Sequence, residues 1–208
     1  TMNKQYYKIA PKTWFGIKWK SRGPIIKEGK KYFVALGDSF TYGYQMESYN
    51  QTWVARLSES NGVGHVNLAF NGASIEATCR FLDRSLAIDS TVLHVVMLPY
   101  PWRSESKLFF VGEKNRRIGH SGISDDQCAS KVENTLKHYK DQPVVFSNTW
   151  GWTNEVLDKI LPLKDTYKNF MPNTAGWLDR ALDGEHGHAG PLTHTTFVKQ
   201  LESFIGTI

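Results

Sequence analysis

Two cysteines in 208 residues, Cys79 and Cys128, rule out a disulfide framework as the basis of the fold. They fall in separate predicted helices, with no C-x-x-C spacing and no histidine cluster around them, and read as reduced, buried thiols. Long apolar runs are also scarce. The longest, Thr91 to Trp102, is interrupted by His94 and by two prolines and is too short to span a bilayer, so a soluble protein is expected. Residues Thr1 to Tyr7 lead into further lysines rather than an apolar stretch, which argues against a secretory signal. No internal repeat and no low-complexity tract is present. What is there is ordinary for a globular chain: 40% hydrophobic and 22% charged residues, in a length that fits one domain with a full core.

The net charge of +5 is unevenly spread. Residues 1–31 carry nine Lys/Arg against Glu28 alone, while the rest of the chain is slightly acidic. This basic arm, interleaved with Tyr6, Tyr7, Trp14, Phe15 and Trp19, is set apart from a domain over residues 32–208. It suits either contact with an anionic polymer or surface, or packing across the domain with lysine heads in water, and the second reading is preferred. Nucleic acid is not the expected partner.

Strands and helices alternate along the domain. Tyr32-Phe33-Val34-Ala35-Leu36 reads as a buried strand stopped by Gly37, Val66 to Phe70 as a second, Val92 to Leu98 as a central strand covered on both faces, and Pro143 to Asn148 as a fourth. Between them lie a helix capped by Asn50 and carrying Trp53, Val54 and Leu57, and one capped by Ser74 with Ile75, Cys79, Leu82 and Leu86 on one stripe. Ser124-Asp125-Asp126-Gln127 supplies a capping box for another. Shorter helices are predicted over Asn154 to Ile160 and Ala175 to Leu182, and a last one begins at Pro191. Arg103 to Gly122 reads as an excursion. This order predicts an α/β sandwich with a mainly parallel sheet, whose ligands bind beyond the strand ends at Gly37, Gly72, Pro99 and Asn148.

Gly37-Asp38-Ser39 places a hydroxyl directly at the end of the first strand. A serine nucleophile needs a base to take its proton and a third group to hold that base. Asp183-Gly184-Glu185-His186 offers a carboxylate and an imidazole three residues apart, shortly before the last helix; His188 and His194 lie close by and compete for the role of base. Taken with Gly72 after the second strand, the Gly37-Asp38-Ser39 triplet and the Asp183/His186 pair resemble the SGNH/GDSL hydrolases, in order as well as in kind. The resemblance spans residues 32–205. It implies a flavodoxin-like three-layer α/β/α sandwich, with Ser39 as nucleophile, His186 as base, Asp183 as its orienting carboxylate, and the backbone N–H groups of Ser39 and Gly72 as oxyanion donors.

One element of that family is missing. Where a G-x-N-D block should follow the third strand, the chain has Pro99-Tyr100-Pro101-Trp102-Arg103-Ser104-Glu105, with no asparagine. Arg103, Asn71 or Asn148 would have to supply the third oxyanion donor, with Arg103 preferred; losing such a donor costs about 10²–10³ in rate. The P-x-R-x-E form is similar to divergent bacteriophage-encoded members; with no signal peptide visible, a cytoplasmic or virion-associated protein is expected. The expected activity is that of a serine esterase working through an acyl-serine intermediate on an ester, such as an O-acetyl group of a carbohydrate, and without a cofactor. Asp38, Tyr100 and Trp102 are expected to contact substrate, and Tyr42, Tyr44, Trp150 and Trp152 to offer further sugar-stacking faces. The alternative is a catalytically weakened module of the same fold that binds a glycan or a partner protein. His186-Gly187-His188 lacks a fourth ligand at a defined spacing, and no metal site is expected.

Overall fold

The computed structural model describes residues 5, 6, 8, 13, 14, 17, 18, 26, 30–44, 46–103, 122–173 and 188–206. The central sheet has four strands: β1 (Tyr32–Leu36), β2 (Gly64–Asn67), β3 (His94–Leu98) and β4 (Val144–Asn148). All are parallel, in the order β2-β1-β3-β4. The helices are α1 (Ser39–Tyr42), α2 (Trp53–Ser60), α3 (Ile75–Ile88), α4 (Asp125–His138), α5 (Asn154–Ile160), α6 (Leu163–Thr166) and α7 (Pro191–Ile205). A two-residue antiparallel pair, Thr13–Trp14 with Ile17–Lys18, stands apart from the sheet.

Period-two alternation sends side chains to opposite faces of each strand and so builds three layers. Phe33 and Ala35 of β1 and Val95 and Met97 of β3 pack with Trp53, Val54 and Leu57 of α2 and Phe197, Val198 and Leu201 of α7. Val34, Leu36, Val96, Leu98 and Phe146 face the other way, against Ile75 and Leu82 of α3, Val132 and Leu136 of α4, and Val156 and Ile160 of α5. The outer edge of β4 is covered by a parallel bridge from Phe146 to Phe170. Both cysteines are free thiols; Cys128 is buried and Cys79 half-buried.

Several expected boundaries move for local reasons. β2 ends at Asn67 rather than Phe70, because the Asn67 side chain turns the backbone: its Oδ1 accepts from Ala69 N (3.0 Å) and its Nδ2 donates to Thr41 O (2.9 Å). Asn50 does not cap α2. It sits in a 3₁₀ turn over Tyr49–Gln51, and Thr52 accepts from Ala55 N instead. β3 starts at His94, whose Nδ1 bonds Val92 O at 2.9 Å. α6 was not foreseen, and the helix expected over 175–182 lies outside the described residues. The caps at Ser74 and Ser124, the latter with its capping box to Gln127, form as read.

From β1 the chain passes to β2 on one side and, through α3, to β3 on the other. The resulting switch point between β1 and β3 is where parallel sheets of this kind place their ligand crevice, beyond the strands' carboxyl ends. Gly37 fixes how the chain enters it. Its φ is +151°, and a Cβ there would lie 2.5 Å from Thr41 Oγ1 and 2.7 Å from Met97 O. We expect Gly37→Ala to destabilise the fold by about 1–3 kcal/mol, read as a lower urea midpoint at unchanged m.

Candidate active site

A single helical turn presents Ser39 to this crevice. Asp38 caps it, its carboxylate accepting from Phe40 N at 3.1 Å, and Gly43 closes it in the left-handed conformation (φ 76°), donating to Ser39 O at 3.0 Å. As the first residue of α1, Ser39 has an N–H without an intrahelical acceptor. It is almost fully buried, with 6% of the residue exposed.

The imidazole that meets it belongs to His188, whose Nε2 lies 3.1 Å from Ser39 Oγ. Phe40 and Tyr44 hold the ring, each with its centroid 5.1 Å away. For Nε2 to accept the hydroxyl proton, the ring must carry its own proton on Nδ1. His186 had been expected in this place; it and Asp183 lie outside the described residues. His194 is engaged elsewhere: its Nδ1 accepts from Trp53 N at 3.0 Å, closing the first turn of α2 against α7. The position of His188 was readable in principle, since Glu185 and His188 repeat the three-residue spacing of Asp183 and His186 two positions later.

Asp38, expected at the substrate, is wholly buried and turned toward the protein. Its Oδ2 accepts from Arg103 Nη1 at 2.9 Å, and the same Nη1 donates to Ala73 O at 3.2 Å. Burial raises the Asp38 pKa from its ordinary value, against the pull of the Arg103 guanidinium and of Phe40 N–H. Arg103 also stacks over Tyr100, 4.7 Å from the ring centroid, and its carbonyl accepts from Lys131 Nζ at 3.0 Å. One guanidinium thus ties the loop after β3 to the Ser39 turn after β1 and to the Gly72-Ala73 loop after β2. Its Nη1 is committed to that structural task.

Breaking the pair from one side leaves a buried charge uncompensated. Arg103→Ala should therefore lower stability by about 3–5 kcal/mol, and adding Asp38→Asn should restore part of that loss in a double-mutant cycle by urea denaturation.

Asn148 is also occupied: its Oδ1 accepts from Asn173 N (2.7 Å) and its Nδ2 donates to Asn173 O (3.1 Å), so it is not a spare donor. Gly72 adopts φ 75° in the turn before α3. Tyr100 and Trp102 stack at 4.9 Å between centroids and, like Tyr42 and Tyr44, are half-buried with surface to offer. Trp150 and Trp152 are core residues, at 2% and 5% exposure, rather than sugar platforms. No group of three or more His, Cys, Asp or Glu placed to hold a metal occurs among the described residues.

The α/β/α sandwich with its all-parallel central sheet is the fold of esterases and G-D-S-L lipolytic proteins of known structure. The chain is similar in structure to the psychrotrophic esterase EstA from Pseudoalteromonas sp. at TM-score 0.57 and 13% identity, over 84% of this chain and 96% of that one. It is similar to a protein assigned to the G-D-S-L lipolytic family from Desulfitobacterium hafniense (TM-score 0.55, 12% identity, 84% and 99% covered). It is also similar to a variant of Axe2, an acetyl-xylooligosaccharide esterase from Geobacillus (TM-score 0.55, 14% identity, 87% and 96% covered). No protein-family model matches the sequence, and no curated protein matches it.

Proposed function

We propose that the protein is a serine esterase with Ser39 as nucleophile and His188 as general base. The observation that carries this reading is the 3.1 Å approach of His188 Nε2 to Ser39 Oγ at the sheet's switch point. Ser39 Oγ attacks the ester carbonyl carbon while its proton passes to His188 Nε2. The carbonyl oxygen takes the negative charge, received by the N–H groups of Ser39 and Gly72. Collapse breaks the acyl C–O bond, and His188 returns the proton to the departing alcohol. Water, deprotonated by the same imidazole, then frees the acid and restores Ser39.

Arg103 places a fixed positive charge behind the nucleophile turn and holds the two donor loops together. Its Nη1 being engaged, we assign it first to positioning these donors. The orienting carboxylate comes from Asp183 or, in step with the change of base, from Glu185. Removing each separately decides between them.

Acyl groups on a carbohydrate are the proposed substrate class. Among the structures this chain is similar to are Axe2 and a carbohydrate esterase family 2 enzyme from Corynascus, at 14% identity. The half-buried pair Tyr100–Trp102 near the crevice suits a sugar face.

The test is a fluorophosphonate probe read by intact mass, with acetate release from acetylated xylo-oligosaccharides in parallel. One probe adduct on the native chain and none on Ser39→Ala is expected. An unlabelled native chain with no hydrolysis of short acyl esters would leave a binding module as the function of this fold.

A further inference from the structure

A cavity of about 1300 Å³ lies at the far end of the sheet from Ser39. It opens where β1, β3 and β4 begin, and Lys30, Lys31, Lys137, Lys140 and Lys168 line it with a single acid, Asp141. The ion pairs formed among the described residues are elsewhere: Arg103 with Asp38, Lys131 with Glu76, and Lys159 with Asp126. Five ammonium groups around one hollow, with no ion pair to a carboxylate among the described residues, repel one another and favour an incoming anion. The basic arm starts from the same end. Lys30 and Lys31 are its last residues, and Tyr6 is buried edge-on against Tyr32, with ring centroids 6.0 Å apart.

We propose that this lysine-lined cavity binds an acidic polysaccharide. β1 spans five residues, roughly 16 Å, between the cavity and the nucleophile turn, so what is bound here is not the group that reacts at Ser39. It is a distant stretch of a long chain, held by charge. Among the described residues the lining has no arginine, and lysine ammonium groups act as point charges suited to carboxylates strung along a flexible polymer rather than to bidentate recognition of single phosphates. Nor do the described residues form a row of open rings on which bases would stack. Tyr167 is buried, Tyr32 Oη is bonded to Asp89 at 2.9 Å, and Phe204 is the exposed ring, while Val92 and Pro143 offer apolar surface to sugar C–H faces. The choice of a sugar chain over other polyanions rests on the carbohydrate-ester reading above; the preference for an anion does not.

The experiment uses the full chain carrying Ser39→Ala, so that binding is read without turnover, with polygalacturonate as probe and neutral dextran as control. Titration calorimetry should show polygalacturonate binding that weakens tenfold or more as salt rises from roughly 50 to 300 mM, and no binding of dextran. Adding Lys31→Glu, Lys140→Glu and Lys168→Glu, all exposed and outside helices, should weaken binding at least tenfold with Tm unchanged. The same triple substitution on the native-serine background should leave fluorophosphonate labelling of Ser39 intact. Equal binding by the triple variant, or polygalacturonate binding no better than dextran, overturns the proposal. Tighter binding of single-stranded DNA than of polygalacturonate overturns it in favour of a nucleic-acid site. Absence of labelling at Ser39 would remove the esterase reading while leaving this binding result standing.

Discussion

Replacing His188 with alanine should lower kcat/KM on a short-chain aryl ester by about a thousandfold or more, whereas His186→Ala should change it less than about tenfold. The expectation follows from the 3.1 Å contact between Nε2 and Ser39 Oγ. Without that imidazole the hydroxyl keeps its proton at neutral pH and is a poor nucleophile, leaving only binding and the oxyanion donors to act. The Phe40 and Tyr44 rings, each 5.1 Å from the imidazole, restrict its orientation, so the serine does not have to recruit it from solvent. His194→Ala probes a different effect. It removes the acceptor for Trp53 N and so should cost stability rather than turnover in the chain that remains folded. Activity lost with His186 and retained without His188 would reverse the assignment of the base. Parallel measurements on Asp183→Asn and Glu185→Gln locate the carboxylate: the one whose loss approaches that of His188→Ala is the group orienting the imidazole.

Much of this arrangement was legible in the sequence, for reasons that are local. The strands announce themselves through unbroken apolar runs because both faces of a parallel sheet are covered, as at Val95, Val96, Met97 and Leu98, all fully buried. Ser74 and Ser124 could be read as caps because a hydroxyl placed just before an amphipathic stripe has one dominant use. The misreadings arose where a side chain had two uses and tertiary contacts chose between them. Asn67 could continue β2 or bend it, and its bond to Thr41 O makes it bend. Asp38 beside Ser39 could face the strand-end opening or the protein, and the Arg103 guanidinium, 65 residues away in the chain, draws it inward. Trp150 looked like a strand-end platform, but Phe40, His194 and Phe197 enclose it. The base is the least legible part of the site: three histidines within nine residues all satisfy a loose pattern, and what singles out His188 among the described residues is its packing beside Phe40 and Tyr44 and its contact with Ser39.

Acid should unfold the protein through two histidines that take no part in the chemistry. His65 is 2% exposed, with Nε2 at 2.9 Å from Tyr49 Oη, and burial lowers its pKa to about 4. His94 is fully buried at the start of β3, and burial likewise lowers its pKa to about 4 despite its bond to Val92 O. In the unfolded chain both titrate near the ordinary value of about 6.5. Between those two values the unfolded state therefore binds more protons than the folded one, and stability falls as pH falls. The contribution is fully present above about pH 6.5, declines through the interval, and is exhausted once the folded-state histidines also protonate near pH 4. A depression of this size corresponds to about 3 kcal/mol for each histidine, which together is a large part of the 5–15 kcal/mol typical of a whole domain. Urea titrations at a series of pH values should show the midpoint dropping steeply from pH 6.5 to 4. His94→Gln, which keeps a neutral polar group at the site, should flatten that slope by about half, whatever it costs at pH 7. A midpoint that stays level across the interval in the native chain would mean that these two imidazoles become charged without unfolding, and that their burial is not what sets the acid limit.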